Sequence, residues 1–210
     1  QFHLLFISGL NARVGLSSTK EPRYGVFIMT KNRMEAFSDG VIAIILTIMV
    51  LELKVPHGSQ WESLSPLLPI FLSYVLSFVY VGIYWNNHHH MMHLCHKVSG
   101  PILWANMNLL FWLSLIPFTT GWLGENHFEQ IPSIVYGINL ILAAVAYFIL
   151  QNVITASQGP DSILKKAVKN DYKGKMSLAI YAVGILLSIL VQYVGIIAFT
   201  LVALIWLIPD

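Results

Sequence analysis

Charged residues and cysteine are both scarce in this sequence, and each scarcity excludes a class of protein. Only 10% of the 210 residues are charged, whereas a soluble domain needs about 25% to cover its surface. The single cysteine, Cys95, excludes an intramolecular disulfide framework and a four-cysteine zinc site. A formal net charge of +2 argues against a nucleic-acid partner. What is abundant is apolar sequence, with 56% hydrophobic residues and a mean hydropathy of +0.68. These values indicate an all-α integral membrane protein that lies in a lipid bilayer.

Six apolar segments account for this composition, since a helix needs about 20 apolar residues to cross the hydrocarbon core. Four of them are separate and run from Met34 to Leu53, Leu64 to Tyr84, Pro101 to Trp122 and Ile131 to Thr155. The last apolar stretch, 176–208, is too long for one helix. We therefore predict a hairpin of two short spans, 176–191 and 194–208, and six transmembrane helices in total.

The basic residues are distributed unevenly among the connecting segments. Segments 1–33, 85–100, 157–175 and the extreme C-terminus together hold all lysines and arginines except Lys54. Because positive residues near span ends favour the cytoplasmic side, we predict a multi-pass protein of the cell membrane with both termini in the cytoplasm.

Two segments differ from the apolar remainder of the chain. We interpret 1–32 as a loose cytoplasmic N-terminal extension, with Met29 as the natural start, and 33–210 as the six-helix transmembrane domain. Gly159-Pro160-Asp161 is a helix start signal, so the basic segment 157–175 is expected to form a short helix at the anionic inner leaflet.

The first predicted span carries two ionisable residues near its beginning, Arg33 and Asp39. Such groups are costly inside a membrane and are functional candidates by default. Six residues correspond to about 240° around a helix, so each of the two needs a partner elsewhere. Candidate partners for Asp39 are Asn86, Asn87, the histidines that follow them, Asn106 and Asn108.

A helical wheel of this span groups a set of residues on one face. At about 100° per residue, the stripe consists of Arg33, Phe37, Ile44, Thr47, Ile48 and Leu51. Asp39 projects about 140° away from it, toward the rest of its own bundle. From spacing alone, the stripe could contact lipid or another helix.

The motif Arg33-x-x-x-Phe37-Ser38-Asp39 resembles the signature of the transmembrane-protein-175 family of potassium channels, in the form of its prokaryotic members. Further similar features are Tyr84-Trp85-Asn86-Asn87-His88-His89, Asn108…Pro117-Phe118-Thr119-Thr120 and Trp206-Leu-Ile-Pro209. The resemblance implies a homotetramer in which the first helix of each chain lines a central pore for potassium ions. It also implies a constriction at Ile44, with Thr47 and Leu51 beyond it, and no cofactor. The remaining motif residues would form a structural network: Arg33, Phe37, Ser38, Asp39, His88, His89 and Asn108.

The usual potassium filter, Thr-Val-Gly-Tyr-Gly, does not occur in this sequence. Selectivity would therefore have to come from the aliphatic constriction formed by Ile44 and its neighbours on the stripe. Narrow apolar rings also gate by dewetting, so the constriction and the gate can be the same residues.

The run from His88 to His96 supports a competing hypothesis. His89, His93, Cys95 and His96 have side chains that bind transition metals, and the histidines have helical i,i+4 and i,i+3 spacings. The alternative function is therefore a metal or proton-coupled transporter. Against a metal site, the run contains no carboxylate. An enzyme is not expected, because no nucleophile–base pair or carboxylate cluster lies in the spans.

Overall fold

The computed structural model describes residues 30–159 and 172–208, and these residues form helices and connecting turns without strands. The seven α-helices described are α1 Lys31–Leu51, α2 Leu68–Leu94, α3 Gly100–Ser114, α4 Ile116–Glu125, α5 Gln130–Ser157, α6 Tyr172–Ser188 and α7 Val194–Leu207. A 3-10 helix, Trp61–Leu67, leads into α2. The predicted extension 1–29 and most of the predicted helix within 157–175 lie outside the described residues.

Six membrane segments fit this arrangement, as predicted. Four helical stretches are long and apolar enough to cross a bilayer: 31–51, 61–94, 100–125 and 130–157. The third consists of α3 and α4, which are separated at Leu115. Pro117 lies in the first turn of α4, and it has no N–H to continue the hydrogen-bond ladder of α3. The last two segments are the short helices α6 and α7, joined by a tight turn at 189–193, which is the predicted hairpin.

The main correction to the predicted boundaries concerns α2. We expected this helix to end at Tyr84, but it continues to Leu94 and includes most of the histidine run. Lys31 of α1 and Gln158, which directly follows α5, satisfy its terminal carbonyls. Lys31 Nζ donates to His93 O at 3.0 Å, and Gln158 Nε2 donates to Leu94 O at 2.7 Å. These contacts extend the helix past its apolar segment.

Two buried clusters hold the helices together. The first joins α1, α2, α3, α4 and α5, and the second joins α2, α4, α5, α6 and α7. Small residues allow the closest approaches, as is usual inside membranes. A Cβ atom added at Gly124 of α4 would lie 2.7 Å from Ile70 Cα of α2. One added at Gly195 of α7 would meet the Ser188 side chain at the end of α6.

Candidate ion pathway along the first helix

The first helix has one face that packs against the rest of the chain. Met34, Ser38, Ile42, Ile45 and Met49 recur every three or four residues and are all buried. The apolar members of this set belong to the cluster that also contains residues of α2, α3 and α5. The fold therefore fixes the rotation of α1 about its own axis.

The opposite face of α1 is exposed in the part of the chain that the structure describes. It carries every residue of the stripe predicted from the helical wheel: Arg33, Phe37, Ile44, Thr47, Ile48 and Leu51 are all exposed. The exposed fraction of the side chain is 58% for Ile44 and 78% for Leu51. The hydroxyl of Thr47 lies on this face and donates a hydrogen bond to Ile44 O at 2.8 Å. Its hydrogen is therefore satisfied within the helix.

A buried chain of hydrogen bonds links α1 to α2 and α3. Asn106 of α3 donates from Nδ2 to Ser38 Oγ at 2.9 Å, and its Oδ1 lies 2.8 Å from His88 Nε2 of α2. Ser38 in turn donates to Met34 O at 2.9 Å. Because an amide oxygen only accepts, His88 carries its proton on Nε2. All three side chains are at most 1% exposed, so this network is shielded from water.

Asp39 does not join that network. Its Oδ1 accepts a hydrogen bond from Trp85 Nε1 of α2 at 3.0 Å. We predicted an asparagine or histidine partner for this carboxylate, pointing toward the rest of the bundle. Asp39 is instead half-buried and its hydrogen bond is exposed. Asn106, one of the proposed partners, is committed to Ser38 and His88.

Arg33 and Asn108 are placed differently from the other motif residues. The Arg33 side chain is exposed at the beginning of α1 and, among the described residues, forms no ion pair. Asn108 is half-buried on α3, and no side-chain hydrogen bond to it occurs within 30–159 and 172–208. The structure therefore brings together Ser38 and His88, and separately Asp39 and Trp85, but does not connect Arg33 or Asn108 to either pair.

A second contact between α1 and α2 lies one helical turn from the Asp39–Trp85 bond. Glu35 Oε1 is 3.2 Å from His89 Nδ1, and the Trp85 and His89 rings are stacked. Sequence reasoning overlooked Glu35, although a carboxylate four residues before Asp39 on the same helix was the available signal. The pairing supplies the histidine run with a carboxylate that its own segment lacks.

The candidate metal ligands do not converge. His89 stacks on His93, with ring centroids 6.4 Å apart. Cys95 is buried just after α2, where its thiol donates to Lys97 O at 3.6 Å and burial raises the pKa of the thiol. Among the described residues, no group of three His, Cys, Asp or Glu side chains is arranged to hold a metal ion.

One ion pair lies at the other end of α1. Lys54 Nζ is 2.9 Å from Glu125 Oε1 at the end of α4, and both side chains are largely exposed. The hydrogen bond to Glu125 raises the pKa of Lys54. This contact joins the α1 terminus to α4 outside the apolar part of the bundle.

The chain is similar to known proteins of one family. Residues 33–117 match the family model described as endosomal/lysosomal potassium channel TMEM175. A protein named potassium channel from Chryseobacterium sp. (strain P1-3) is 59% identical over 182 residues, which is 87% of this chain and 95% of that relative. A human protein named endosomal/lysosomal proton channel TMEM175 is 40% identical over 99 residues, or 41% of this chain and 19% of that protein.

A solved structure shares the fold. The crystal structure of a lysosomal potassium-selective channel TMEM175 homolog from Chamaesiphon minutus matches with a TM-score of 0.74 and 25% identity. The match covers 84% of this chain and 96% of that one.

Proposed function

The chain belongs to the TMEM175 family, and from that premise we propose that it is a potassium channel whose pore is lined by α1 from four copies of the chain. The observation that carries the proposal is the exposed stripe of α1. Phe37, Ile44, Ile48 and Leu51 lie on the face opposite to the one that packs in the core. One such helix cannot enclose a pore, whereas a cyclic tetramer gives a ring of four side chains at each level.

The narrowest ring in this proposal is the one formed by Ile44. Apolar constrictions gate by dewetting, and a potassium ion loses less hydration energy than a sodium ion when it passes such a ring. Thr47, Ile48 and Leu51 line the next levels toward the end of α1. The channel needs no catalytic residue and no resident cofactor, and potassium is the permeant ion.

The flank of the stripe supports close packing of four α1 helices. Ala36, Gly40 and Ala43 lie about 40 to 100° to one side of Ile44, and all three are exposed in the single chain. Within the described chain, nothing lies within 4 Å of a Cβ atom added at Gly40. Small residues at such spacing let helix backbones approach closely in a membrane, so this flank is where a neighbouring α1 would pack.

In this proposal the beginning of α1 faces the cytoplasm. That orientation follows the excess of lysine and arginine on the side where α1 begins. Arg33 then lies at the cytoplasmic mouth of the pore, and the ion pair of Lys54 with Glu125 lies at the opposite mouth. The contacts of Asp39 and Glu35 with α2 orient α1 and lie outside the ion path.

The test is the reversal potential of the purified protein in a planar bilayer under opposed potassium and sodium gradients. The parent protein should shift it toward the potassium equilibrium value. Ile44→Asn should wet the constriction, raise conductance and move the reversal potential toward zero. The matched control is Ile138→Asn on α5, since Ile138 is also apolar and exposed, at 44%, but lies on another helix. Unchanged ion preference in Ile44→Asn would remove Ile44 from the constriction.

A second candidate is proton conduction, which is favoured by the similarity to the human protein named a proton channel. The same bilayer distinguishes the two, because a pH gradient without a potassium gradient drives current only through a proton pathway. Metal transport is tested by replacing His89, His93 and Cys95 together and measuring potassium flux in the presence of a chelator. Intact flux is expected, and recovery of a lost flux by added zinc would favour the metal alternative.

A further inference from the structure

The 3-10 helix that leads into α2 has an exposed apolar face. It spans Trp61–Leu67, none of its residues is buried, and every residue between α1 and α2 is described. Side chains three residues apart lie above one another in a 3-10 helix, so Trp61, Leu64 and Leu67 share one face. Trp61 is 85% exposed and Leu64 is 47% exposed. The helix therefore presents an indole ring and a leucine outside the bundle.

The two remaining faces of this short helix are polar or held by the preceding loop. Glu62 and Ser65 share the second face, and both are exposed. Ser63 lies on the third face, where its N–H donates to Gln60 O at 3.1 Å. A Cβ atom added at Gly58 would lie 2.6 Å from Ser63 Oγ, and Gly58 has a φ of +133°, which residues with a side chain rarely adopt. This close contact holds the helix in one rotation.

The length of α2 determines the depth of the 3-10 helix in a membrane. The apolar part of α2 runs from Leu68 to Trp85, and Asn86, Asn87 and the histidines follow it. At 1.5 Å per residue this part rises about 27 Å, which nearly fills a hydrocarbon core of about 30 Å. Because the asparagines mark one boundary of the core, the 3-10 helix begins at the other boundary.

We propose that the 3-10 helix is an interfacial anchor whose apolar face lies between the headgroups and the acyl chains of one leaflet, with Trp61 as its principal contact. Tryptophan is enriched at this boundary because its indole combines an apolar ring with an N–H donor. The exposed apolar surface continues into α2 through Leu68, Leu72 and Val75, so the anchor adjoins the surface that acyl chains cover. The partner is the bilayer itself. The inference concerns a different part of the chain from the pore and does not depend on the proposed channel function.

Depth-dependent quenching of Trp61 in liposomes tests the proposal. The parent protein and Trp61→Phe are each reconstituted with lipids that carry bromine either near the headgroup or near the chain end. Their difference isolates Trp61 from the five other tryptophans, Trp85, Trp104, Trp112, Trp122 and Trp206. Phenylalanine should not disturb the fold, because Trp61 is so exposed. Bromine near the headgroup should quench Trp61 several-fold more than bromine near the chain end, and aqueous iodide should quench it several-fold less than free tryptophan.

The matched control uses the polar face of the same helix. Ser65→Trp in the Trp61→Phe background introduces an exposed indole there, which iodide should quench and brominated lipids should not. Three results for Trp61 would overturn the proposal. Quenching by iodide alone would place this face in water, and protection from both quenchers would mean that a second copy of the chain covers it. Stronger quenching by bromine near the chain end would place it inside the hydrocarbon core.

Discussion

Asn106→Leu tests how α1 is held against α2 and α3. Asn106 is 1% exposed and bonds to Ser38 on one side and to His88 on the other, at 2.9 and 2.8 Å. Leucine has a similar volume but can neither donate nor accept a hydrogen bond. The substitution therefore leaves His88 Nε2 without its acceptor in a site that water does not reach. Ser38 keeps its own bond to Met34 O.

The expected cost follows from these two losses. A buried donor left unsatisfied costs about 1–3 kcal/mol, and a hydrogen bond between membrane helices contributes on average about 0.6 kcal/mol. Asn106→Leu should therefore destabilise the protein by about 2–3 kcal/mol. Asp39→Ala removes a hydrogen bond that solvent can replace, so its cost should be about 1 kcal/mol or less. The neutral side chain of Asn106 is therefore expected to contribute more to stability than the charged side chain of Asp39.

Unfolding in detergent, followed by far-UV circular dichroism, compares these variants directly. Asn106→Leu should unfold at a lower denaturant concentration than Asp39→Ala. The double variant His88→Leu/Asn106→Leu should recover part of the loss, because removing both partners leaves fewer unsatisfied groups than removing one. An Asn106→Leu protein as stable as the parent, or an Asp39→Ala protein that is much less stable, would refute the reasoning.

Three further predictions rest on local geometry. Gly124→Ala should destabilise by about 1–3 kcal/mol, because its Cβ would meet the backbone of α2, whereas Gly82→Ala, with open space around it, should be neutral or stabilising in thermal melts. Lys54→Gln should lower the melting temperature slightly at pH 7. The pKa of Lys54 is raised above 10.5 in the folded state. The difference in melting temperature between the parent and Lys54→Gln should therefore be present below pH 10.5 and disappear as the pH rises through the folded-state pKa. Alkylation of Cys95, followed by mass spectrometry at pH 8, should be slower than that of free glutathione, since burial raises the thiol pKa; equal rates would contradict the burial of this thiol.

Periodicity was sufficient to predict which residues of α1 share one face, but not whether that face contacts another helix. Ile44, Ile48 and Leu51 fall on one side of a 3.6-residue helix whatever surrounds it, and the structure leaves that side exposed. The spans were predictable for the same reason, since the length of an apolar run determines whether it can cross a bilayer. The C-terminal end of α2 was not predictable in this way. The side chains that bond to its last carbonyls, Lys31 and Gln158, are distant in sequence.

The hydrogen-bond partners of the polar residues were harder to predict than the location of these residues in the spans. Asp39 drew attention as a charge within a span, yet its partner is Trp85, a residue that composition marks only as aromatic. Asn106 was named as a candidate partner of Asp39, whereas its partners are Ser38 and His88. Which of several amides meets which acceptor depends on helix rotation and tilt, and these are set by packing across the whole bundle.

The residues that orient α1 in the bundle lie in a different part of the helix from the residues proposed to line the pore. Glu35, Ser38 and Asp39 make its contacts with polar side chains of α2 and α3 within two turns at one end, while the segment from Val41 to Met49 packs in the core through apolar side chains alone. The exposed side of that second segment can therefore change without disturbing the contacts that orient the helix. Ile44→Ala removes little buried surface, because Ile44 is 58% exposed in the single chain. In the proposed channel it should alter conductance while the melting temperature of the chain stays near that of the parent, whereas substitutions at Ser38 should alter stability first.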